Sequence, residues 1–107
     1  MEEVFRALAD PSRRALLDRL FADGGLTLGQ LAADMPMTRQ AVAKHLAILE
    51  AANLVSVRWQ GREKLHYLNP VPIGEIVTRW VGKFEDARIE ALTDFKCRIE
   101  TKEKKRA

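Results

Sequence analysis

The chain has 107 residues, enough for one compact domain with a single modest core. Apolar residues make up 47% and charged residues 31%, as in ordinary globular proteins, and the net charge of +3 suits a polyanionic partner. No apolar run approaches the roughly 20 residues that span a bilayer, and the N-terminus lacks the residue order of a signal peptide. The single cysteine, Cys97, excludes an internal disulfide, so we expect one cytoplasmic domain without membrane contact.

Helical spacing and capping residues predict two helices at the start of the chain. The first is indicated by three apolar residues, Val4, Phe5 and Leu8. Asp10 then supplies an N-cap and Pro11 a first helical position for the second helix, which we expect to end at Gly24 and Gly25. The side of the second helix that we expect to face the core holds Ala15, Leu16, Leu20 and Phe21.

Two further helices are predicted between residues 27 and 53. Thr27 can cap the third helix, and Pro36 ends it. Thr38 can cap the fourth helix, which we expect to run to about Ala52 and to end at Asn53, a residue that tolerates the left-handed conformation.

After Asn53 the apolar period changes from helical to alternating, which predicts a strand. A turn at Gln60-Gly61-Arg62 leads into a second alternating segment. We expect Glu63, Leu65 and Tyr67 to lie on one face of this second strand. The two segments therefore predict an antiparallel hairpin, which Pro70 and Pro72 close.

A long amphipathic helix is predicted from about residue 73 to residue 100, followed by a basic tail, residues 101–107, that we expect to fray. Its apolar stripe is larger than the core of one small domain needs. We therefore expect a two-fold homodimer in which this helix pairs with its copy and with the first helix. The expected interface residues are Val4, Phe5, Leu8, Trp80, Val81, Phe84, Leu92 and Phe95.

The outer face of the fourth helix has the chemistry of a DNA-reading surface. At about 100° per residue, one arc holds Arg39, Gln40, Ala43, Lys44 and Ala47. The opposite arc holds Val42, Leu46, Ile48, Leu49 and Ala52. Arginine and glutamine can hydrogen-bond base edges, lysine can pair with phosphate, and alanines permit close approach to a groove. An ordinary solvated helix face is the alternative that these residues leave open.

A short helix, a Pro-containing turn, a capped helix and a hairpin follow one another in the order of a winged helix-turn-helix. The segments LADPSRRALLDRL, LTLGQLAADMPMTRQAVAKHLAILEAANLV and GREKLHYLNP resemble those of ArsR-type bacterial transcriptional regulators, which are small dimeric winged-helix repressors. The resemblance covers nearly the whole chain. It implies a recognition helix at about 38–52 and a wing at about 54–68. The DNA-binding residues that it implies are Thr38, Arg39, Gln40, Ala43, Lys44, Arg58, Arg62 and Lys64.

Many proteins of this type sense metals, but the ligands that they use are missing here. Thr27 and Gly29 stand where arsenic- or cadmium-sensing members carry a Cys-x-Cys pair, and the long last helix contains no histidine. The acidic residues of this helix are expected to form solvated helix pairs; they are Glu85, Asp86, Glu90 and Asp94. We therefore expect no metal site and no cofactor.

The two histidines and the cysteine have structural interpretations as well as functional ones. His45 falls inside the apolar arc of the fourth helix, so we expect a hydrogen-bonded interior or edge residue rather than a DNA contact. We expect His66 to be a surface or wing residue, and Cys97 to be inert rather than redox-sensing. No phosphate loop, nucleophile elbow or triad is recognisable, so we expect no enzyme.

The expected fold is mainly α with a small β-hairpin, a winged helix-turn-helix with a long C-terminal dimerisation helix. The expected function is that of a homodimeric, sequence-specific DNA-binding regulator, a repressor that binds a palindromic operator in double-stranded DNA. The alternative is a winged-helix module that binds another protein through the C-terminal helix. The sequence identifies neither the inducer nor the operator.

Overall fold

A computed structural model describes residues 1–81, in which Met1–Ile73 forms one compact unit and a second unit begins at Gly74. The first unit is mainly helical and carries an antiparallel hairpin, as predicted. Its elements in chain order are α1 (Glu2–Leu8), α2 (Pro11–Ala22), α3 (Leu28–Ala33), α4 (Arg39–Ala51), β1 (Val55–Gln60) and β2 (Glu63–Leu68).

The start of α2 follows the prediction, whereas its end does not. The Asp10 carboxylate accepts hydrogen bonds from the backbone N–H groups of Ser12 (2.7 Å) and Arg13 (3.2 Å), and proline occupies the first turn. The helix ends at Ala22, and its C-cap residue has an extended rather than a left-handed backbone. Gly25 adopts the left-handed conformation (φ 79°) within the turn that follows the helix.

The face of α2 that meets the core differs from the expected one. Leu16, Leu17 and Leu20 are buried, whereas Ala15 is exposed and Phe21 is 81% exposed. The three leucines span about 100° of the helix surface, which leaves the alanine on the far side and the phenylalanine at the border of the arc. The expectation that Ala15 and Phe21 face the core was therefore wrong.

The core of the first unit collects apolar residues from every helix and from the start of the hairpin. The helices α2 and α4 contribute most of the large buried side chains. The buried apolar residues are Val4, Ala7, Leu16, Leu17, Leu20, Leu31, Val42, Leu46, Leu49, Ala52, Leu54 and Val55. Ile48, which we expected on the inner side of α4, is exposed because it lies at the edge of that arc.

Both helices of the helix-turn-helix begin at threonine caps, as predicted. Thr27 forms a capping box with Gln30: its hydroxyl accepts from the Gln30 N–H (3.2 Å), and its N–H donates to the Gln30 side chain (2.9 Å). The hydroxyl of Thr38 accepts from the N–H of Ala41 (3.1 Å) at the start of α4. Asn53, just after α4, has a φ of 62°, which confirms the expected left-handed position.

The strands β1 and β2 pair with Val55 opposite Leu68 and with Gln60 opposite Glu63, around a turn at Gly61 (φ 62°). The chain before α3 runs beside this hairpin, because Leu26 and His66 form an isolated antiparallel bridge. The hairpin is therefore joined to the turn that leads into α3.

His66 is a core residue, which corrects the expectation of a surface or wing position. It is 3% exposed, and its Nδ1 donates a hydrogen bond to the carbonyl of Leu26 at 2.9 Å. The register places it opposite Val57, so both side chains point to the same face of the hairpin. Because Leu26 lies against this part of β2, the imidazole is covered and finds its partner inside the fold.

A further helix begins at residue 71, two residues before the expected start, and is described to residue 81. Its first turn is capped by the Asn69 side chain, which accepts from the N–H of Val71 at 3.3 Å. No helix among residues 1–81 is long and apolar enough to cross a membrane. Several predictions concern residues outside this described part: Phe84, Glu85, Asp86, Glu90, Leu92, Asp94, Phe95, Cys97 and the tail 101–107.

Candidate nucleic-acid interface

The outer face of α4 is solvent-exposed along its first two turns. Arg39, Gln40 and Lys44 are exposed, Ala43 is half-buried, and Ala47 is exposed one turn later. Within residues 1–81, the cations of Arg39 and Lys44 form no ion pair. The helix therefore presents two cations, one amide and two small side chains to solvent, as the helical wheel predicted.

The end of α3 is held to α2 by an arginine. Arg19 Nε donates to the carboxylate of Asp34, at the end of α3, over 3.0 Å, and Arg19 Nη1 donates to Asp23 over 2.7 Å. These two hydrogen bonds raise the pKa of the Arg19 guanidinium above its ordinary value. Since the arginine stays charged at any physiological pH, a change of protonation does not break this link between α2 and α3.

A second arginine connects α1, α2 and the inner edge of α4. Arg13 Nε donates to the carbonyl of Ala7 (2.9 Å), Nη2 donates to the carbonyl of Arg6 (2.9 Å), and Nη1 lies 3.4 Å from Nδ1 of His45. His45 is half-buried, which confirms the prediction of a hydrogen-bonded edge residue. One side chain thus connects α4 with the C-terminal carbonyls of α1.

The Asp10 carboxylate belongs to the same cluster. Its desolvation would raise its pKa, but hydrogen bonds from the N–H groups of Arg13 and Ser12, together with the Arg13 charge and a smaller contribution from His45, lower the pKa below its ordinary value. The cap of α2 is therefore ionised at neutral pH and below.

The three cations of the wing take different positions. Arg62 is exposed at the turn, and the Arg58 guanidinium lies 5.8 Å from the ring centroid of Tyr67. Lys64 points to the other face of the hairpin, where its Nζ lies 3.2 Å from Oε1 of Glu50 on α4. The charge of Lys64 is therefore balanced by a carboxylate of α4. The two residues are 14 positions apart, too far for the pairing to be recognised in the sequence.

A groove of about 450 Å³ separates α3 and α4 from the wing. Its walls include Arg39 and Ala43 from α4 and Arg62 and Lys64 from the hairpin. The structure thus brings four of the expected DNA-binding residues to one groove. Arg58 is outside this groove, and so are Thr38, Gln40 and Lys44, which lie farther along or around α4.

The expected dimer residues within the described part of the chain divide by exposure. Val4 is buried and Leu8 is half-buried, whereas Phe5 is exposed. In the second unit Trp80 is exposed and Val81 is half-buried. Phe5 and Trp80 are therefore the large side chains, among those expected at an interface, that remain accessible in the described residues.

One exposed residue near the groove was not expected to have a role. Trp59 belongs to the alternating pattern of β1. It lies next to the turn of the hairpin and is 68% exposed. Its distance along the strand from the buried Val55 is the signal in the sequence that could have identified it.

Comparisons with known proteins agree with this geometry. Residues 8–58 match a family described as a helix-turn-helix domain. The chain is 40% identical over 77 residues to the HTH-type transcriptional regulator Rv2034 of Mycobacterium tuberculosis, covering 72% of this chain and 71% of that protein. It is 31% identical over 84 residues to the transcriptional repressor SdpR of Bacillus subtilis, covering 78% of this chain and 91% of the repressor.

The fold is also that of a solved regulator. An ArsR-like transcriptional regulator from Rhodococcus sp. RHA1 superimposes with a TM-score of 0.70 at 30% sequence identity, covering 89% of this chain and 88% of that one. Helix order, hairpin and sequence similarity therefore agree over most of the chain. The protein belongs to the ArsR family of winged helix-turn-helix transcriptional regulators, which bind DNA.

Proposed function

We propose that the protein is a homodimeric repressor that binds a palindromic operator through α4 and the wing. The observation that carries the proposal is the exposed outer face of α4, where Gln40 is exposed and the cations of Arg39 and Lys44 have no ion-pair partner within residues 1–81. The similarity to SdpR, which is named a transcriptional repressor, supports the direction of regulation.

Each residue of this face has a role that follows from its chemistry. Arg39 and Gln40 lie in the first turn of α4, the end of a recognition helix that contacts bases, and both side chains can bond a base edge bidentately. Lys44 lies one turn later and pairs with a phosphate. Ala43 keeps the backbone of α4 close to the floor of the major groove.

The wing supplies further phosphate contacts of unequal strength. Arg62 is exposed at the turn and has no ion pair among residues 1–81, so it can neutralise a phosphate directly. Lys64 must exchange its contact with Glu50 for a phosphate, which reduces its net contribution. Arg58, over the ring of Tyr67, helps to hold the hairpin and contacts DNA at its outer edge.

A two-fold dimer would double these contacts. One helix and one wing offer too few contacts for tight specific binding, whereas two copies about 34 Å apart can occupy successive major grooves. Exposure of Phe5 on α1 and of Trp80 on the last helix supports an interface on these helices. Phe84 and Phe95 complete this proposed interface, and sedimentation equilibrium of Phe84→Glu should show a dissociated, folded protein that has lost operator affinity.

The proposed function is tested by selecting duplexes from a random-sequence pool with the full-length protein. We expect the selected duplexes to share a palindromic site and to bind far more tightly than random duplex. A pool that shows no enrichment would contradict the proposal and would favour the alternative, a module that binds a protein through its C-terminal helix.

The residue roles are tested on the selected duplex across a salt series. Lys44→Ala and Arg62→Ala should weaken binding to all duplexes and lower the salt slope by about one unit each. Gln40→Ala should cost about 1–3 kcal/mol on the selected site and far less on random duplex. Arg14→Ala removes an exposed cation from α2 and should leave the slope unchanged, which makes it the charge-matched control.

A further inference from the structure

Trp59 is a large apolar side chain that the fold leaves in solvent. Among the large apolar residues that the structure describes, its exposed fraction of 68% is exceeded only by that of Phe21. Within residues 1–81 its indole makes no hydrogen bond and no ring contact. An exposed tryptophan at a binding surface is typical of a residue that is buried by a partner.

The core does not need this side chain. In β1 the apolar residues become more exposed toward the turn: Val55 is buried, Val57 is half-buried, and Trp59 is exposed. At about 3.3 Å per residue, Trp59 lies about 13 Å along the strand from the buried Val55. A polar residue at this position would complete the hairpin equally well.

The register determines the direction in which Trp59 points. Trp59 is paired with Lys64, and directly opposed residues place their side chains on the same face of a sheet. On that face Lys64 reaches Glu50 of α4, with 3.2 Å between Nζ and Oε1. Trp59 is therefore on the side of the hairpin that faces the recognition helix, at the tip and next to the Arg62 turn.

We propose that Trp59 inserts its indole into the minor groove of the operator, beside the major groove that α4 contacts; this inference rests on the proposed function. In this arrangement the tip of the hairpin would lie at the minor groove next to the major groove that α4 occupies. The minor groove is about 6 Å wide, its walls are apolar sugar edges, and apolar side chains are known to enter it between base steps. Arg62, which follows the end of β1 after one intervening residue, would neutralise the phosphates at the edge of the groove.

The chemistry of the minor groove makes this contact sequence-dependent. A guanine places its amino group on the groove floor, where a flat apolar ring would displace water from a donor without replacing its hydrogen bond. Pyrimidine–purine steps such as TA, in which the two bases follow each other on one strand, unstack most easily and accept a wedge at the lowest cost. Trp59 would thus select TA steps in the sequences that flank the site contacted by α4.

The first experiment measures affinity and flank preference with duplexes that wild-type protein selects from a random pool. Trp59→Ala should weaken binding about tenfold and abolish the preference for flanks with TA steps over flanks with G·C pairs. Trp59→Phe should keep most of the affinity and most of this preference. The salt slope should stay unchanged, because the indole carries no charge and displaces no counterion. Phe21→Ala removes an exposed aromatic ring from α2 and should behave as wild type.

The second experiment observes the indole directly. The chain has two tryptophans, so the emission change on addition of the selected duplex is compared between wild type and Trp59→Phe. Quenching that is present in wild type and lost in Trp59→Phe is the expected result.

The outcomes separate this inference from the function on which it rests. If wild type selects no duplex, the proposed function fails. If wild type selects a site but Trp59→Ala matches its affinity and flank preference, the inference is wrong and the proposed function stands. An affinity loss that is equal on all flanks, with no difference in quenching between wild type and Trp59→Phe, also overturns it and assigns the side chain to hairpin stability or to a protein partner.

Discussion

Replacement of Arg13 by alanine should destabilise the first unit more than replacement of an exposed arginine such as Arg14. Arg13 is 14% exposed, and its guanidinium bonds the carbonyls of Ala7 and Arg6 at 2.9 Å each. A hydrogen bond from a charged donor contributes about 1.5–3 kcal/mol, but these bonds share one side chain and one of them is exposed, so their contributions do not add. We expect a loss of about 3 kcal/mol in the free energy of unfolding.

The measurement is urea denaturation followed by circular dichroism at one fixed protein concentration, because dimer dissociation would otherwise add to the apparent stability. Arg14→Ala is the matched control: its Nη1 bonds the carbonyl of Leu8 at 2.6 Å, but the side chain is exposed. The control should cost less than about 1 kcal/mol.

The contribution of the contact with His45 can be isolated by a double-mutant cycle. The distance of 3.4 Å between Arg13 Nη1 and His45 Nδ1 is long for a hydrogen bond, so we expect a coupling energy of about 0.5 kcal/mol. A stability of Arg13→Ala within about 0.5 kcal/mol of wild type, or an equal loss in Arg14→Ala, would show that the cluster does not anchor α1 to the recognition helix.

Three other residues carry predictions about stability. His66→Ala should cost about 2–4 kcal/mol in urea denaturation, because His66 is 3% exposed and its removal leaves a cavity and a buried carbonyl without its donor; a smaller loss than about 1 kcal/mol would contradict its core position. Gly25 and Gly61 both have a positive φ, but a Cβ at Gly25 would lie 3.1 Å from the Tyr67 hydroxyl while none of the atoms described lies within 4 Å at Gly61. Thermal melts should therefore show a loss of about 2 kcal/mol for Gly25→Ala and about 1 kcal/mol for Gly61→Ala, and the reverse order would refute the steric argument. The lowered pKa of Asp10 stabilises the fold above its unfolded value of about 4, and this contribution disappears as the pH falls through the folded value. Asp10→Asn should lose less stability than wild type on acidification below about pH 4, and parallel pH profiles would exclude the assignment.

Helix starts and turns could be predicted from the sequence because they depend on neighbours within four positions. Asp10 and Thr38 cap the N–H groups of residues two or three positions later, and Asn53 and Gly61 adopt left-handed conformations at the ends of their elements. The exposed face of α4 followed from helical geometry for the same reason, since every turn repeats the same directions. Local geometry therefore determined which side chains α4 exposes on the face that we propose contacts DNA.

Burial and ion pairing were decided by the tertiary structure. His66 is covered because Leu26, 40 positions earlier, runs against β2, and no local pattern records that contact. Phe21 remains exposed because the elements that pack against α2 contact its leucines. Lys64 is paired with Glu50, which lies 14 positions earlier on another element, and its charge is therefore less available to a phosphate. Periodicity gives the direction of a side chain relative to its own helix or strand, whereas the atoms that it meets depend on how the elements pack. The sequence by itself thus determined the elements and the exposed face of α4 that we propose contacts DNA, and only the packed fold decided which cations near that face remain without an ion pair among residues 1–81.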